Sequence, residues 1–203
     1  MAIKLYKGDL PTQIDLGQVV AVDTEAMGLN PRRDNLCLVQ LSGGDGNAHL
    51  VQIDRTTFSA PRLKTLLEDR NVMKIFHYAR FDVAMLKQYL GADVSPLYCT
   101  KIASRLARTY TDKHGLKDIV KEMLGIDLSK QQQSSDWGSP ILSDAQKQYA
   151  ALDVIYLHEL KARFDQILQR EGRMELARAC FDFVPVRAKL DLAGWTEEDV
   201  FAH

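Results

Sequence analysis

The sequence has few cysteines, no long apolar run and no excess of positive charge, and each of these absences excludes a class of protein. Its three cysteines, Cys37, Cys99 and Cys180, are far apart and form no Cys-x-x-Cys pair. This spacing argues against a disulfide framework or a zinc site and favours a reducing compartment. No apolar stretch approaches the roughly 20 residues that a membrane-spanning helix needs. The first residues lack the basic and apolar regions of a signal peptide, so we expect a cytoplasmic protein without a membrane partner.

The charge balance limits how the protein could hold an anionic ligand. There are 26 lysines and arginines against 27 acidic residues, for a formal net charge of −1. Proteins that hold many phosphates by charge carry a basic patch. A nucleic-acid ligand would therefore be held at few phosphates, or by local charge at subunit boundaries, and net charge does not separate these alternatives. The length of 203 residues favours one domain. We assign residues 1–203 to it, with 172–203 as a C-terminal helical extension.

The order of predicted elements indicates a mixed α/β sheet flanked by helices. Three apolar stretches, at 18–24, 36–42 and 48–53, are separated by short turns and predict an antiparallel meander. Further strands are predicted at 72–76 and 97–99, and helices at 60–68, 79–90, 100–108, 114–124, 143–170 and 174–190. A doubly wound parallel sheet fits less well, because parallel neighbours need longer crossovers than these first turns. A ribonuclease H-like arrangement fits the order.

Two carboxylates stand at the end of the first predicted strand. Asp23 and Glu25 follow a run of apolar residues and are separated by one residue. Side chains alternate along a strand, so both should point to the same face. Like charges this close repel each other unless a cation lies between them, and hard divalent cations prefer oxygen ligands. The alternative is a solvated acidic pair at the end of a strand.

Three further polar residues lie in predicted helices among apolar neighbours. Asp82 falls in the first turns of a helix, where an acidic residue also balances the helix dipole. Tyr149 and Asp153 are four residues apart, which places them on one helical face. A buried aspartate without a partner is costly. A metal ion would supply that partner for Asp153, and the alternatives are a hydrogen bond from Tyr149 or an arginine pair.

These residues together resemble the three motifs of the DEDD exonuclease superfamily, in its DEDDy branch. The matching segments are Asp23-Thr24-Glu25, His77-Tyr78-Ala79-Arg80-Phe81-Asp82 and Tyr149-Ala150-Ala151-Leu152-Asp153. The region from 128 to 137 is similar to ribonuclease D. Further similarity at 99–104, 109–112 and 194–203 extends to its short bacterial relatives of the nanoRNase C type. The resemblance implies a ribonuclease H-like fold of the DnaQ-like exonuclease kind.

The resemblance also implies a catalytic role for each motif residue. Asp23, Glu25, Asp82 and Asp153 would be ligands of two divalent metal ions, Mg²⁺ or Mn²⁺, with Asp23 bridging both ions. Tyr149 would orient the attacking water rather than act as a base, since a free tyrosine is neutral at pH 7. Attack at the last phosphodiester from the 3′ end would release a 5′-nucleotide.

Substrate-binding candidates surround these motifs. Leu29 would wedge between the two terminal bases, with Met27 and Gly28 beside it; the alternative is a turn leucine that folds back onto the core. Weaker candidates for holding phosphate or base are His77, Arg80, Gln133, Ser134, Ser135 and Trp137. Trp137 offers a stacking face for a base, and packing within its loop is the alternative.

NanoRNase C resemblance implies a substrate and an assembly. The substrate would be very short RNA, chiefly diribonucleotides such as pGpG, and the assembly a homo-octamer. The few residues after the last motif and the near-zero charge agree with short substrates, because ribonuclease D carries extra helical domains for longer RNA. Two alternatives stay open: a broader 3′-5′ exonuclease that trims RNA or DNA ends, and an inactive nuclease fold that only binds nucleic acid.

Overall fold

The structure is a computed structural model that describes residues 1–128 and 134–203. Its strands are β1 (Ile3–Lys7), β2 (Val19–Ala26), β3 (Leu36–Ser42), β4 (Ala48–Gln52), β5 (Met73–Phe76) and β6 (Leu97–Cys99). Its helices are α1 (Pro61–Glu68), α2 (Ala79–Leu90), α3 (Thr100–Ala107), α4 (Leu116–Leu124), α5 (Asp144–Ile155), α6 (Leu157–Arg170) and α7 (Met174–Ala193). None of the helices in these ranges is long and apolar enough to cross a membrane.

The described strands form one mixed sheet in the order β1-β4-β3-β2-β5-β6. β2, β3 and β4 pair antiparallel, which confirms the predicted meander. β1 pairs parallel with β4, and β5 lies parallel to both β2 and β6. Every residue of β3 is buried, because helices cover both faces of the sheet centre: α5 packs against β2, β3 and β4, and α2 contacts β2, β3 and β5.

Two elements differ from the prediction. β1 was not predicted, since its partner β4 lies more than 40 residues away and the short stretch shows no turn that fixes the pairing. The predicted helix 143–170 is two helices that meet at Tyr156, whose backbone N–H bonds the Val154 carbonyl instead of continuing the α-helical ladder. α5 and α6 are therefore separate helices.

Local sequence sets the start of α5 and the end of α2. Ser143 and Gln146 form a capping box, in which each side chain bonds the other's backbone N–H. Gly91 ends α2 with a φ of 63°, a left-handed conformation that glycine adopts without a Cβ clash. These signals fix where α5 begins and where α2 ends. All three cysteines are unpaired, and Cys37 and Cys99 are buried.

Candidate active site

β2 and α5 together bring three carboxylates to one place. Asp23 and Glu25 point to the face of the sheet that α5 covers, and α5 supplies Asp153. One oxygen of each carboxylate lies within 4.8 Å of the others. Tyr149 stands one helical turn before Asp153, and the pKa of its hydroxyl is raised by burial and by the charges of Asp153, Glu25 and Asp23. The hydroxyl is therefore within electrostatic range of all three acids.

Asp82 approaches the same strand from the first turn of α2. Thr24, whose side chain alternates with those of Asp23 and Glu25, donates a hydrogen bond from Oγ1 to Asp82 Oδ1 at 2.7 Å. Asp82 is outside the group of three oxygens but buried, and its charge raises the pKa of Asp23, Glu25 and Asp153. The four predicted acids thus converge at the end of β2.

The carboxylates are electrostatically costly in the absence of a cation. Burial is the largest cause that raises their pKa values, to about 9 for Glu25 and about 7 for both Asp82 and Asp153; that of Asp23 is also raised well above its ordinary range. In the described residues, no lysine, arginine or histidine forms a salt bridge with any of them. An oxygen-only donor set of this charge fits a hard divalent cation such as Mg²⁺ or Mn²⁺.

Neutral side chains hold two of these groups in place, and sequence reasoning missed them. Gln40 lies opposite Asp23 in the β2–β3 register, and its Nε2 donates to Asp23 Oδ2 at 3.0 Å. The Thr24 hydroxyl serves Asp82 in the same way. The signal for Gln40 was an amide between the apolar residues Val39 and Leu41 of β3, but the contact depends on register between strands.

The segment after β2 presents the predicted wedge residue to solvent. Leu29 is 88% exposed, which excludes the alternative that it folds back onto the core. Met27 is 55% exposed. A Cβ added to Gly28 would lie 2.2 Å from Asp34 Oδ2, so only glycine permits this close approach. Arg55, also missed, contacts Met27 Sδ at 3.0 Å and donates to the Gly138 carbonyl at 2.6 Å, which joins this segment to the loop before α5.

Two of the weaker substrate-binding candidates, His77 and Arg80, make contacts within the protein. His77 follows β5, its Nδ1 lies 2.9 Å from Thr100 Oγ1, and burial lowers its pKa to about 3, so the ring is neutral. Arg80 donates from Nε and Nη2 to Asp191 and from Nη2 to the Thr196 carbonyl. Because Nε and Nη2 of Arg80 are engaged in these bonds, the predicted contact with a phosphate would be made by Nη1. That contact stays a prediction.

The loop before α5 holds Ser135 and Trp137. Trp137 is only 3% exposed, and its ring packs 6.0 Å from that of Tyr149. This agrees with the alternative that Trp137 serves packing, and its ring offers no open face on which a base could stack. The Ser135 hydroxyl accepts a hydrogen bond from Gln146 at 3.1 Å. Ser134 is exposed. Gln133 lies outside the described residues.

A cavity of about 770 Å³ lies between α3 and α7, and none of the four carboxylates lines it. Its walls combine cationic residues with apolar and aromatic residues of the C-terminal region, including Lys101, Arg105, Phe183 and Phe201. The candidate active site is instead the group of partly to fully buried carboxylates at the end of β2.

Comparison with known proteins agrees with this geometry. The 3′-5′ exonuclease family matches residues 9–169. Ribonuclease D of Gluconacetobacter diazotrophicus is 34% identical over 158 residues, which are 77% of this chain and 39% of that protein. The chain thus spans about two fifths of the length of the ribonuclease D proteins that it matches.

Two solved structures match over the whole chain. NrnC of Brucella melitensis with bound Mg²⁺ is 52% identical, with 100% of both chains covered and a TM-score of 0.96. NrnC of the same organism bound to pGG is 53% identical, with 100% of this chain and 99% of that chain covered and a TM-score of 0.97. The chain belongs to the 3′-5′ exonuclease family of the DEDD superfamily, and within it to the group that contains NrnC.

Proposed function

We propose that this protein is a two-metal-ion 3′-5′ exoribonuclease that hydrolyses very short RNAs, chiefly diribonucleotides such as pGpG, to nucleoside 5′-monophosphates. The observation that carries the proposal is the convergence of three carboxylates within 4.8 Å, with Asp82 and the Tyr149 hydroxyl beside them. Full-length similarity to NrnC, which has been seen with Mg²⁺ and with pGG, supports both the metal and the substrate class.

The donor set fits divalent metal ions on its own chemistry. Asp23, Glu25, Asp82 and Asp153 would hold two Mg²⁺ or Mn²⁺ ions, and Asp23 is central because all three other acids raise its pKa. Bound ions of this kind stabilise the attacking and leaving oxygens of a phosphodiester. Thr24 and Gln40 hold two of the acids without adding positive charge, which leaves the negative potential for the ions.

Tyr149 acts as a hydrogen-bond donor. Burial and the neighbouring carboxylates raise the pKa of its hydroxyl, so it keeps its proton at neutral pH. A protonated hydroxyl beside the acids can hold a water or a phosphate oxygen, whereas a base would need the opposite shift. Trp137 packs against the Tyr149 ring and limits its movement. The role of Tyr149 is therefore to orient the attacking water.

Recognition of the last two nucleotides rests on Leu29. Its side chain is almost fully exposed on the segment that follows the two acids of β2, where it can enter between bases. Met27 and Gly28 shape the same segment, and Arg55 fixes it to the loop that holds Ser135. His77, Arg80, Gln133 and Ser135 complete the proposed set of substrate contacts. The neutral His77 would act by hydrogen bonding rather than by charge.

We propose that the chain acts as one unit and assembles as a homo-oligomer, with an octamer expected from the nanoRNase C resemblance. Large apolar side chains are exposed on α7 and after it, namely Phe183, Val186, Trp195 and Phe201. The rings of Phe183 and Phe201 pack 5.8 Å apart, and contiguous exposed apolar surface marks interaction sites. The three unpaired cysteines agree with a cytoplasmic location.

A series of 5′-labelled RNAs of two to about ten nucleotides tests the proposal, each at equal concentration with Mg²⁺ or Mn²⁺. We expect kcat/KM for the dinucleotide to exceed that for the longer RNAs by at least about tenfold, a difference of about 1.4 kcal/mol. Equal values for all lengths, or for matched DNA, would favour a general trimming exonuclease. Binding without turnover under either metal would favour an inactive nucleic-acid-binding fold.

A further inference from the structure

Gln40 has a buried side-chain amide, and Asp23 is the one described residue to which that amide is hydrogen-bonded. Gln40 is 0% exposed in β3, and its Nε2 donates to Asp23 Oδ2 at 3.0 Å. Its Oε1 is also buried and has no hydrogen-bond partner within the described residues. Leaving a buried carbonyl oxygen unsatisfied costs free energy, so an apolar side chain of the same shape would make a more stable strand.

A second buried amide shows what a structural glutamine looks like in this protein. Gln146, 7% exposed at the start of α5, uses both ends. Its Oε1 accepts from the Ser143 N–H at 2.9 Å, and its Nε2 donates to the Asp136 carbonyl at 3.0 Å. The hydrogen bonds at both ends of the Gln146 amide therefore offset the cost of burying it, and one of them caps α5. Among the described residues, Gln40 has a partner only for the donor end of its amide.

We propose that Gln40 is a positioning residue that fixes the carboxylate of Asp23 for metal binding. The hydrogen bond to Oδ2 restricts rotation of the carboxylate, which must be oriented toward the oxygens of Glu25 and Asp153. Groups that orient a metal ligand in this way strengthen metal binding.

The neutrality of the amide matters. A lysine or arginine at position 40 would also hold Asp23, but it would neutralise the charge that attracts the cation. The inference rests on the proposed function, because it assumes that Asp23 is a metal ligand.

The test is Mn²⁺ binding to full-length wild-type protein and Gln40→Met, measured by electron paramagnetic resonance of free Mn²⁺. Methionine keeps the volume and removes the donor. We expect Mn²⁺ affinity to fall about 10- to 100-fold, while the melting temperature in EDTA stays equal to wild type or rises. The Mn²⁺ concentration needed for half-maximal hydrolysis should rise by the same factor.

Gln146→Met is the matched control, because it removes a buried amide from α5 without touching a carboxylate. We expect it to lower the melting temperature and leave Mn²⁺ affinity unchanged. If Gln40→Met does not fold, Gln40→Leu carries the same expectation. A folded Gln40 variant with wild-type Mn²⁺ affinity overturns the positioning role alone. Wild-type protein that binds no Mn²⁺ overturns the proposed function as well.

Discussion

Two regions of this molecule bury carboxylates, and they partner them in opposite ways. Asp191 on α7 is 5% exposed and accepts from Arg80 at 2.6 and 2.7 Å and lies 2.9 Å from Arg187 Nη2. Among the described residues, the acids at the end of β2 receive side-chain hydrogen bonds only from the neutral groups of Gln40 and Thr24.

The difference separates scaffold from site. A buried charge that serves the fold alone is paired within the chain, as the bridge between α2 and α7 is. Burial raises the pKa of all four acids, and the charges of neighbouring acids add to the rise for Asp23, Glu25 and Asp153, so the group weakens the fold unless a cation balances it. Local rules are broken in this way mainly at functional sites.

Removing one unpaired acid should have the largest effect on activity. We expect Asp153→Asn to lower kcat/KM for a dinucleotide at least about 1,000-fold, equivalent to about 4 kcal/mol, because a ligand charge is lost. The metal-free variant should be as stable as wild type or more so, since repulsion within the group decreases. Chromatography of the nucleotide products and thermal melting in EDTA measure the two effects. An Asp153→Asn variant that keeps a tenth of the wild-type activity would contradict the assignment of the β2 acids to the functional site.

Removing the paired acid should instead damage the fold. We expect Asp191→Ala to reduce the free energy of unfolding by about 2–4 kcal/mol, because two guanidinium groups lose their common partner. Urea denaturation measures the loss. The control is Glu159→Ala, which breaks the exposed pair with Arg163 on α6 and should cost about 0–1 kcal/mol. Equal losses for the two variants would show that the buried bridge has no special weight.

The pH dependence of stability should distinguish the two regions without any mutation. In metal-free protein, the folded state holds protons on Asp82 and Asp153 up to about pH 7 and on Glu25 up to about pH 9. The unfolded chain releases them near about pH 4. Because the folded state binds more protons, stability falls as the pH rises from about 4 to about 9.

Calorimetry in EDTA should show the melting temperature decreasing by at least about 5 °C between pH 6 and pH 9. Saturating Mg²⁺ should abolish the decrease, since it binds the ionised form. Asp153→Asn should show a shallower pH slope, because one proton-binding group is gone. If the melting temperature of metal-free wild type did not change with pH, the buried acids would not destabilise the folded state.

Much of the fold was readable from local sequence. Three apolar stretches and the short turns between them predicted the meander of β2, β3 and β4, and the predicted helix end at 90 and helix start at 143 agree with α2 and α5 to within a residue. β1 escaped prediction because its pairing with β4 is a long-range event. The break at Tyr156 escaped it because apolar residues continue through both helices.

The site divides in the same way. The five motif residues were found by their type, their spacing and their resemblance to the DEDD motifs, and the structure brings the four carboxylates among them together. The contacts that support them could not be predicted, because they depend on how distant segments pack. Gln40 meets Asp23 only through strand register, and Arg80 meets Asp191 across 111 positions of the chain. The spacing of residues in the sequence indicates the candidate catalytic groups, whereas the packing of distant segments determines which side chains hold those groups in place.

Leu29 extends the comparison to apolar groups and should give the smallest effect. Unlike the apolar residues of the core, which are buried, Leu29 is 88% exposed. We expect Leu29→Ala to raise KM for a dinucleotide about 3- to 10-fold with little change in kcat, because stacking against one side chain is worth about 1 kcal/mol. Initial-rate kinetics separate the two constants. Ile141→Ala, which truncates another strongly exposed aliphatic side chain, should leave KM unchanged. A Leu29 variant with wild-type KM would show that exposure beside the site is not enough to make a side chain part of it.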